Sequence, residues 1–242
     1  MRKGEKRRQD ILLSAEKLFC KKGYDQTTIE DILASLRCSK GSFYHHFDSK
    51  MQVLEELALA RVSGCYERFT EESYQSPIDR LNSLLYHCSP FDRQDEDFLA
   101  VILSLSLQGE GAVICRRIDD ARRQLFLDPL VDTLEQMKKE GTAFYREDYL
   151  PLLLWENHIA FSHALVRRII SALHTDENAA RESVRLLHIA RFQWQRLLDI
   201  PHGRLVIVEA DELYETVQKA YERLSSYLPE GSMAMQTHMR GV

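Results

Sequence analysis

Apolar residues recur at helical spacing along this whole chain, and no stretch of useful length alternates in the manner of a strand. That pattern restricts the fold to the all-α class. Ile11, Leu12, Ala15, Leu18 and Phe19 fall at i, i+1, i+4, i+7 and i+8, one stripe that buries a face of a first helix over residues 6–22. Lys21, Lys22 and Gly23 end it, with two positive charges against the helix dipole and then a residue free to turn left-handed. A second short helix opens at Thr27 or Thr28, whose hydroxyls suit a cap, and Glu30 stands at capping-box distance from Thr27. Its inward face is Ile29, Ile32, Leu33 and Leu36. After a break at Arg37-Cys38, Ser39 is placed to cap a third helix running to about His46. Asp48 or Ser49 then starts a longer fourth helix, striped by Val53, Leu54, Leu57, Ala58 and Val62.

Beyond residue 75 the prolines punctuate the period. Pro77, Pro129 and Pro151 suit the first turn of a helix, where a missing N–H costs nothing, and Pro90, Pro201 and Pro229 fall where helices end. The spacing predicts helices near 77–88, 95–108, 111–140 (broken or kinked at Asp128-Pro129), 148–174, 177–199 and 209–228. Leu205-Val206-Ile207-Val208 is compatible with a short extended stretch but too brief to require one. Residues 229–242 carry no periodic pattern and read as a disordered tail.

Composition narrows the class of function. With 44% hydrophobic and 29% charged residues the chain is ordinary for a soluble globular protein. No apolar run approaches the ~20 residues of a membrane span. The charged N-terminus lacks the apolar core of a signal peptide, so a cytoplasmic protein is expected. Cys20, Cys38, Cys65, Cys88 and Cys115 are scattered, with no C-x-x-C pair, and are read as reduced, mostly buried thiols. The net charge of −5 is uneven: residues 1–50 hold eleven Lys and Arg against seven Asp and Glu, which leaves −9 for the rest. A basic head on an acidic body suggests that the head meets a polyanion. There is no G-x-S-x-G, no phosphate-binding glycine loop and no H-x-x-x-H, since His158 and His163 stand five apart. The expectation is therefore no enzyme, no metal and no cofactor.

Two short helices joined by a tight turn are a device for placing one helix in the DNA major groove. In the second of them Lys40 can reach base edges or phosphate, Gly41 removes the side chain at closest approach, and Ser42 is short and bonds to either. Tyr44 presents a phenol at phosphate distance, and Lys50 sits in the first turn of the next helix beside free N–H groups. The run Thr27-Thr28-Ile29-Glu30-Asp31-Ile32, then Ser39-Lys40-Gly41-Ser42-Phe43-Tyr44-His45-His46-Phe47, then Ser49-Lys50 resembles the TetR family of bacterial transcriptional regulators almost position by position over residues 7–55. The resemblance implies phosphate contacts from Thr28, Tyr44 and Lys50 and groove contacts from Lys40, Gly41, Ser42 and His45. Ser39 and Thr27 complete the candidate DNA-binding set, both as caps, and Phe43 and Phe47 are read as packing residues. Arg37 departs from the family, which usually has glycine in the turn; an unchanged turn puts Arg37 in the left-handed region at about 1 kcal/mol.

By the same resemblance, residues 1–52 form the three-helix DNA-binding domain and 53–228 an all-helical domain for dimerisation and effector binding. Met137-Lys138-Lys139-Glu140-Gly141-Thr142-Ala143-Phe144 is similar to the family's turn after its long central helix. The helices at 148–174 and 177–199 would form the homodimer interface, which also has a physical motive: one recognition helix reads too few base pairs, and two-fold symmetry doubles them. Their apolar rows are Ile159, Leu165, Val166, Ile169 and Ile170, then Leu186, Leu187, Ile189, Ala190 and Leu197. Trp155, His158, Phe161 and Ser162 mix aromatic and polar groups as a small-molecule effector pocket would. The reading is a homodimeric repressor bound to double-stranded DNA at a palindromic operator and released by a small molecule. The alternative is a DNA-tethered protein-interaction module with no inducer, which a closed cavity in the body would disfavour.

Overall fold

A computed structural model describes residues 3–90, 96–106, 111–175 and 177–228, and resolves the period into ten helices with no strand among those residues. They are α1 (Lys3–Lys22), α2 (Ile29–Leu36), α3 (Lys40–Tyr44), α4 (Lys50–Glu71) and α5 (Pro77–His87), then α6 (Glu96–Ser106), α7 (Gly111–Lys139), α8 (Leu150–Ala172), α9 (Ala179–Leu198) and α10 (Ala210–Tyr227). The expected tail at 229–242, with Pro229, lies outside the described residues. No described helix is long and apolar enough to cross a membrane.

The head packs α1, α2 and α3 against the start of α4 around Ile11, Phe19, Ile32, Phe43, Phe47 and Leu54, each at most 1% exposed. This core does not stop at residue 52. It continues without a gap onto Phe98, Val101 and Leu105 of α6 and Ile114 and Ile118 of α7, and α4 itself crosses the expected boundary at 52/53. The end of α10 closes the joint: the Tyr227 hydroxyl donates to the Cys20 carbonyl at 2.9 Å. Gly23 turns left-handed beneath it at φ +86°, where a Cβ would stand 3.0 Å from the Tyr227 ring. The body is built on a second core from the end of α4 and from α5 to α10, which includes Phe69, Leu103, Phe126, Trp155, Leu165, Leu187 and Trp194.

Pro77 and Pro151 stand in the first turns of α5 and α8 as expected, but Pro129 does not. It lies inside α7, which runs unbroken from Gly111 to Lys139. Proline there forfeits one backbone hydrogen bond; Phe126, Leu130 and Leu134, all fully buried on both sides of it, hold the helix in place. The turn after α7 is left-handed at Gly141, with the Thr142 N–H donating to the Met137 carbonyl at 2.9 Å. Of the cysteines, Cys65 and Cys88 are buried and the other three half-buried, so the thiols are less enclosed than expected. Burial pushes the Cys88 thiol up to about 12.

The stretch Leu205–Val208 is not extended. Ile207 has φ +60° and the Val208 N–H donates to the Val206 carbonyl at 2.7 Å, the pattern of a γ-turn. A β-branched residue in that region is strained. Two side chains hold it there: Asn82 exchanges hydrogen bonds with the Arg204 carbonyl (3.0 Å) and the Val206 N–H (2.8 Å), and Arg191 donates to the Val206 carbonyl at 2.6 Å and to that of Val208. Leu205, Ile207 and Val208 are thereby buried.

Candidate nucleic-acid interface

The turn between α2 and α3 is set by hydrogen bonds within a few residues. Thr28 caps α2, and Asp31 completes a capping box with it, so the pair is Thr28 and Asp31 rather than Thr27 and Glu30. Asp31 Oδ2 accepts from the Thr28 N–H at 2.8 Å, the Thr28 hydroxyl at 2.7 Å and Lys22 Nζ at 2.6 Å. The Lys22 ammonium, then Thr28, hold its carboxyl below the usual carboxylate range. Arg37 ends α2 in the left-handed region (φ 49°, ψ 46°), and the Cys38 N–H returns to the Leu33 carbonyl at 3.1 Å, the bond of a Schellman turn. The turn keeps its geometry without glycine.

Ser39 caps α3, its hydroxyl accepting from the Ser42 N–H at 3.3 Å. The helix is shorter than expected, but the His46 and Phe47 N–H groups still reach the Phe43 carbonyl, at 2.8 and 2.9 Å. Phe43 and Phe47 are buried, their ring centroids 5.9 Å apart, and fasten α3 to the head. The other face is open: Lys40, Gly41, Tyr44 and His45 are exposed and Ser42 is half-exposed. A Cβ on Gly41 would meet nothing closer than Ser39 Oγ at 3.9 Å. The fold itself therefore does not require glycine at 41. Lys40 Nζ pairs with Glu30 of α2 at 2.6 Å, which raises its pKa above the ordinary lysine value. The N-terminal end of α1 borders this face, where Arg8 lies 5.1 Å from the Phe47 ring centroid. Burial, then His45, Arg8 and Arg7, push the pKa of His46 down.

Two of the sequence-predicted residues are placed otherwise. Thr27 is fully buried, and its hydroxyl donates to the Gly23 carbonyl at 2.7 Å, so it has no surface to offer DNA. Lys50 folds inward: Nζ donates to the Tyr24 and Thr27 carbonyls, both at 2.7 Å, and sits 3.9 Å above the Tyr24 ring. Burial lowers its pKa. It clamps the loop before α2, with at most one N–H left for a phosphate. Thr28, Ser39, Lys40, Gly41, Tyr44 and His45 are exposed and Ser42 half-exposed, Thr28 and Ser39 as the caps of α2 and α3.

Residues 11–57 match the family model described as bacterial regulatory proteins, tetR family. This chain carries the tetR-family DNA-binding domain. It is 34% identical over 80 residues to the HTH-type transcriptional repressor KstR2 of Mycolicibacterium smegmatis, a match covering 32% of this chain and 39% of that protein. The chain thus spans about two fifths of that relative's length. In fold it is similar to Salmonella enterica GusR (TM-score 0.55, 18% identity, 80% of this chain and 95% of that one). It is also similar to a transcriptional regulator from Saccharomonospora viridis solved in complex with choline (TM-score 0.50, 21% identity, 67% and 86%).

Behind the tetR-family head lies a cavity of about 110 Å3, walled by α4, α6, α7 and α8 and the end of α5. Of the four residues proposed for an effector, Ser162 lines it, whereas Trp155, His158 and Phe161 are buried and do not line it. His158 packs edge-on to Trp194 at 6.2 Å and donates from Nε2 to Ser89 Oγ at 3.3 Å, Ser89 itself donating to the Leu85 carbonyl. Burial, then Arg122, push His158 down to about 3, so the ring is neutral. Its Nδ1 and the Ser162 hydroxyl have no hydrogen-bond partner among the described residues. Arg61, Asp119 and Arg122 also line the cavity and were not singled out from sequence. Each sits on an ordinary helical period, and only packing turns the three towards one another. Among the described residues no three His, Cys, Asp or Glu side chains are grouped to hold a metal.

Proposed function

We propose that the protein is a transcriptional repressor that binds a palindromic operator as a homodimer and leaves it when a small molecule enters the cavity. The observation that carries the DNA contact is the divided α3: Phe43 buried against the head while Lys40, Gly41, Ser42, Tyr44 and His45 face outward. In this reading Tyr44, Thr28 and Arg37 meet phosphates and Lys40 exchanges Glu30 for the DNA. The dimer reading rests on α8 and α9, where Leu152, Leu153, Ile189 and Phe192 are 40–59% exposed. The cavity favours an effector over an interaction module without one. Its wall includes Ala58, Arg61 and Val62 of α4, the helix that also carries the head residues Val53 and Leu54. A ligand that moves α4 would tilt the two heads out of step with successive major grooves.

The test is a fluorescence-anisotropy titration on palindromes from the protein's own promoter region, at several salt concentrations. Lys40→Ala and Tyr44→Phe should each weaken binding, and affinity should fall steeply with salt. Unchanged binding in both variants would remove α3 as the recognition helix. Phe192→Glu with Ile189→Glu should give monomers in sedimentation and lose operator affinity; a stable dimer would rule out this interface.

A further inference from the structure

We propose that the cavity takes a short monocarboxylate, its anionic head held by Arg122 and Ser162; this rests on the effector reading above and names the ligand's class. Val62, Leu99, Ile102, Ile118 and Val166 give the space apolar walls. A space of about 110 Å3 is smaller than the roughly 150 Å3 that accommodates benzene, so it suits a slim molecule of at most about seven non-hydrogen atoms.

The polar groups decide the head. Arg122 is only 13% exposed at its side chain, and its ion-pair contact, to Asp119 Oδ1, is 3.7 Å long. That carboxylate is already engaged at Oδ2 by His163 Nε2, at 2.8 Å. Arg61 lines the same cavity and is held by Glu16 of α1 at 2.5 Å. Arg61 is thus balanced by Glu16, which leaves Arg122 facing the space beside one carboxylate that has a partner of its own. Ser162 is 2% exposed, and its hydroxyl has no partner among the described residues. A hydroxyl closed off from water without a hydrogen bond is costly. A carboxylate meets both needs: it accepts the paired N–H groups of Arg122 in fork geometry and the O–H of Ser162. A cation would face Arg61 and Arg122, and a neutral amide would leave the guanidinium charge uncompensated.

Calorimetry and thermal melts with the full chain test this, using valerate, its neutral counterpart valeramide, and choline. Valerate should bind and raise the melting temperature, and the other two should not. Arg122→Gln and Ser162→Ala should each weaken valerate roughly tenfold, with Arg122→Lys recovering part of the loss and circular dichroism confirming that each variant is folded. Equal binding of valeramide, binding of choline instead, or no binding of valerate at millimolar concentration would overturn the proposal. Operator release by a ligand that is not a carboxylate would overturn it too while leaving the effector reading standing. Valerate binding that Arg122→Gln abolishes, with no change in operator affinity, would support the carboxylate site and instead refute effector release.

Discussion

Arg61 of α4 reaches Glu16 of α1 at 2.5 Å while its guanidinium lies 3.6 Å from the Phe98 ring centroid and lines the cavity wall. One side chain therefore touches the head, α6 and the candidate effector space. The pair is partly buried, at 19% and 32% side-chain exposure, so its charges are less screened than those of a surface pair. A double-mutant cycle with Arg61→Met and Glu16→Gln should give a coupling energy of about 0.5–2 kcal/mol in urea unfolding. A coupling near zero would show that this pair adds nothing to the packing of α1 on α4, which Arg8 and Glu56 also join.

Gly41 has open space around the position of a Cβ. Gly41→Ala should therefore leave the head folded and raise stability by up to about 1 kcal/mol through helix propensity. Operator affinity should drop about tenfold or more, because the methyl meets DNA instead of protein. A variant that binds as tightly as the parent would place α3 farther from the groove than proposed.

Lys50 separates a structural role from a DNA-contacting one. Lys50→Met removes both hydrogen bonds to the Tyr24 and Thr27 carbonyls, and should cost about 1–3 kcal/mol with faster amide exchange over residues 24–28. If stability and exchange stay unchanged while operator binding falls, the phosphate reading implied by the family resemblance is the better one.

His158 is held down to about 3 from an ordinary 6.5, so the unfolded chain binds its proton first as pH falls. Its contribution to stability is complete above about pH 6.5 and is lost progressively towards pH 3, at no more than about 1.4 kcal/mol per pH unit. Between pH 7 and 5.5, where few carboxylates titrate, His158→Gln should flatten the dependence measured by denaturant unfolding. An identical slope in the variant would locate the titration elsewhere.

Arg37 occupies the left-handed region at φ 49°. Arg37→Gly should stabilise the head by about 1 kcal/mol, and reduce the salt slope of operator binding by about one if the side chain meets a phosphate. A loss of stability would mean that the arginine makes a compensating contact in the free protein.

The comparison of α2 and α4 shows where sequence reading stops. Both helices begin within a residue or two of their expected starts, because their stripes and caps are relations across three or four residues. Which hydroxyl caps α2 was not legible: Thr27 and Thr28 are equal in type, and burial of Thr27 against Gly23 selects Thr28. The sequence likewise marks Lys50 as a first-turn cation; that it folds inward depends on carbonyls some 25 residues earlier in the chain.

By itself, then, the sequence determined the all-α class, the order of the helices and a recognition helix with an apolar back and a polar front. These follow from periodicity and from short-range hydrogen bonds. Tertiary structure decided that α7 continues through Pro129, that Asn82 and Arg191 hold Ile207 in a strained turn, and that Arg61, Arg122 and Ser162 share one cavity. The reason is physical: each of these depends on which distant side chains close-packing brings into contact, and no local pattern encodes that choice.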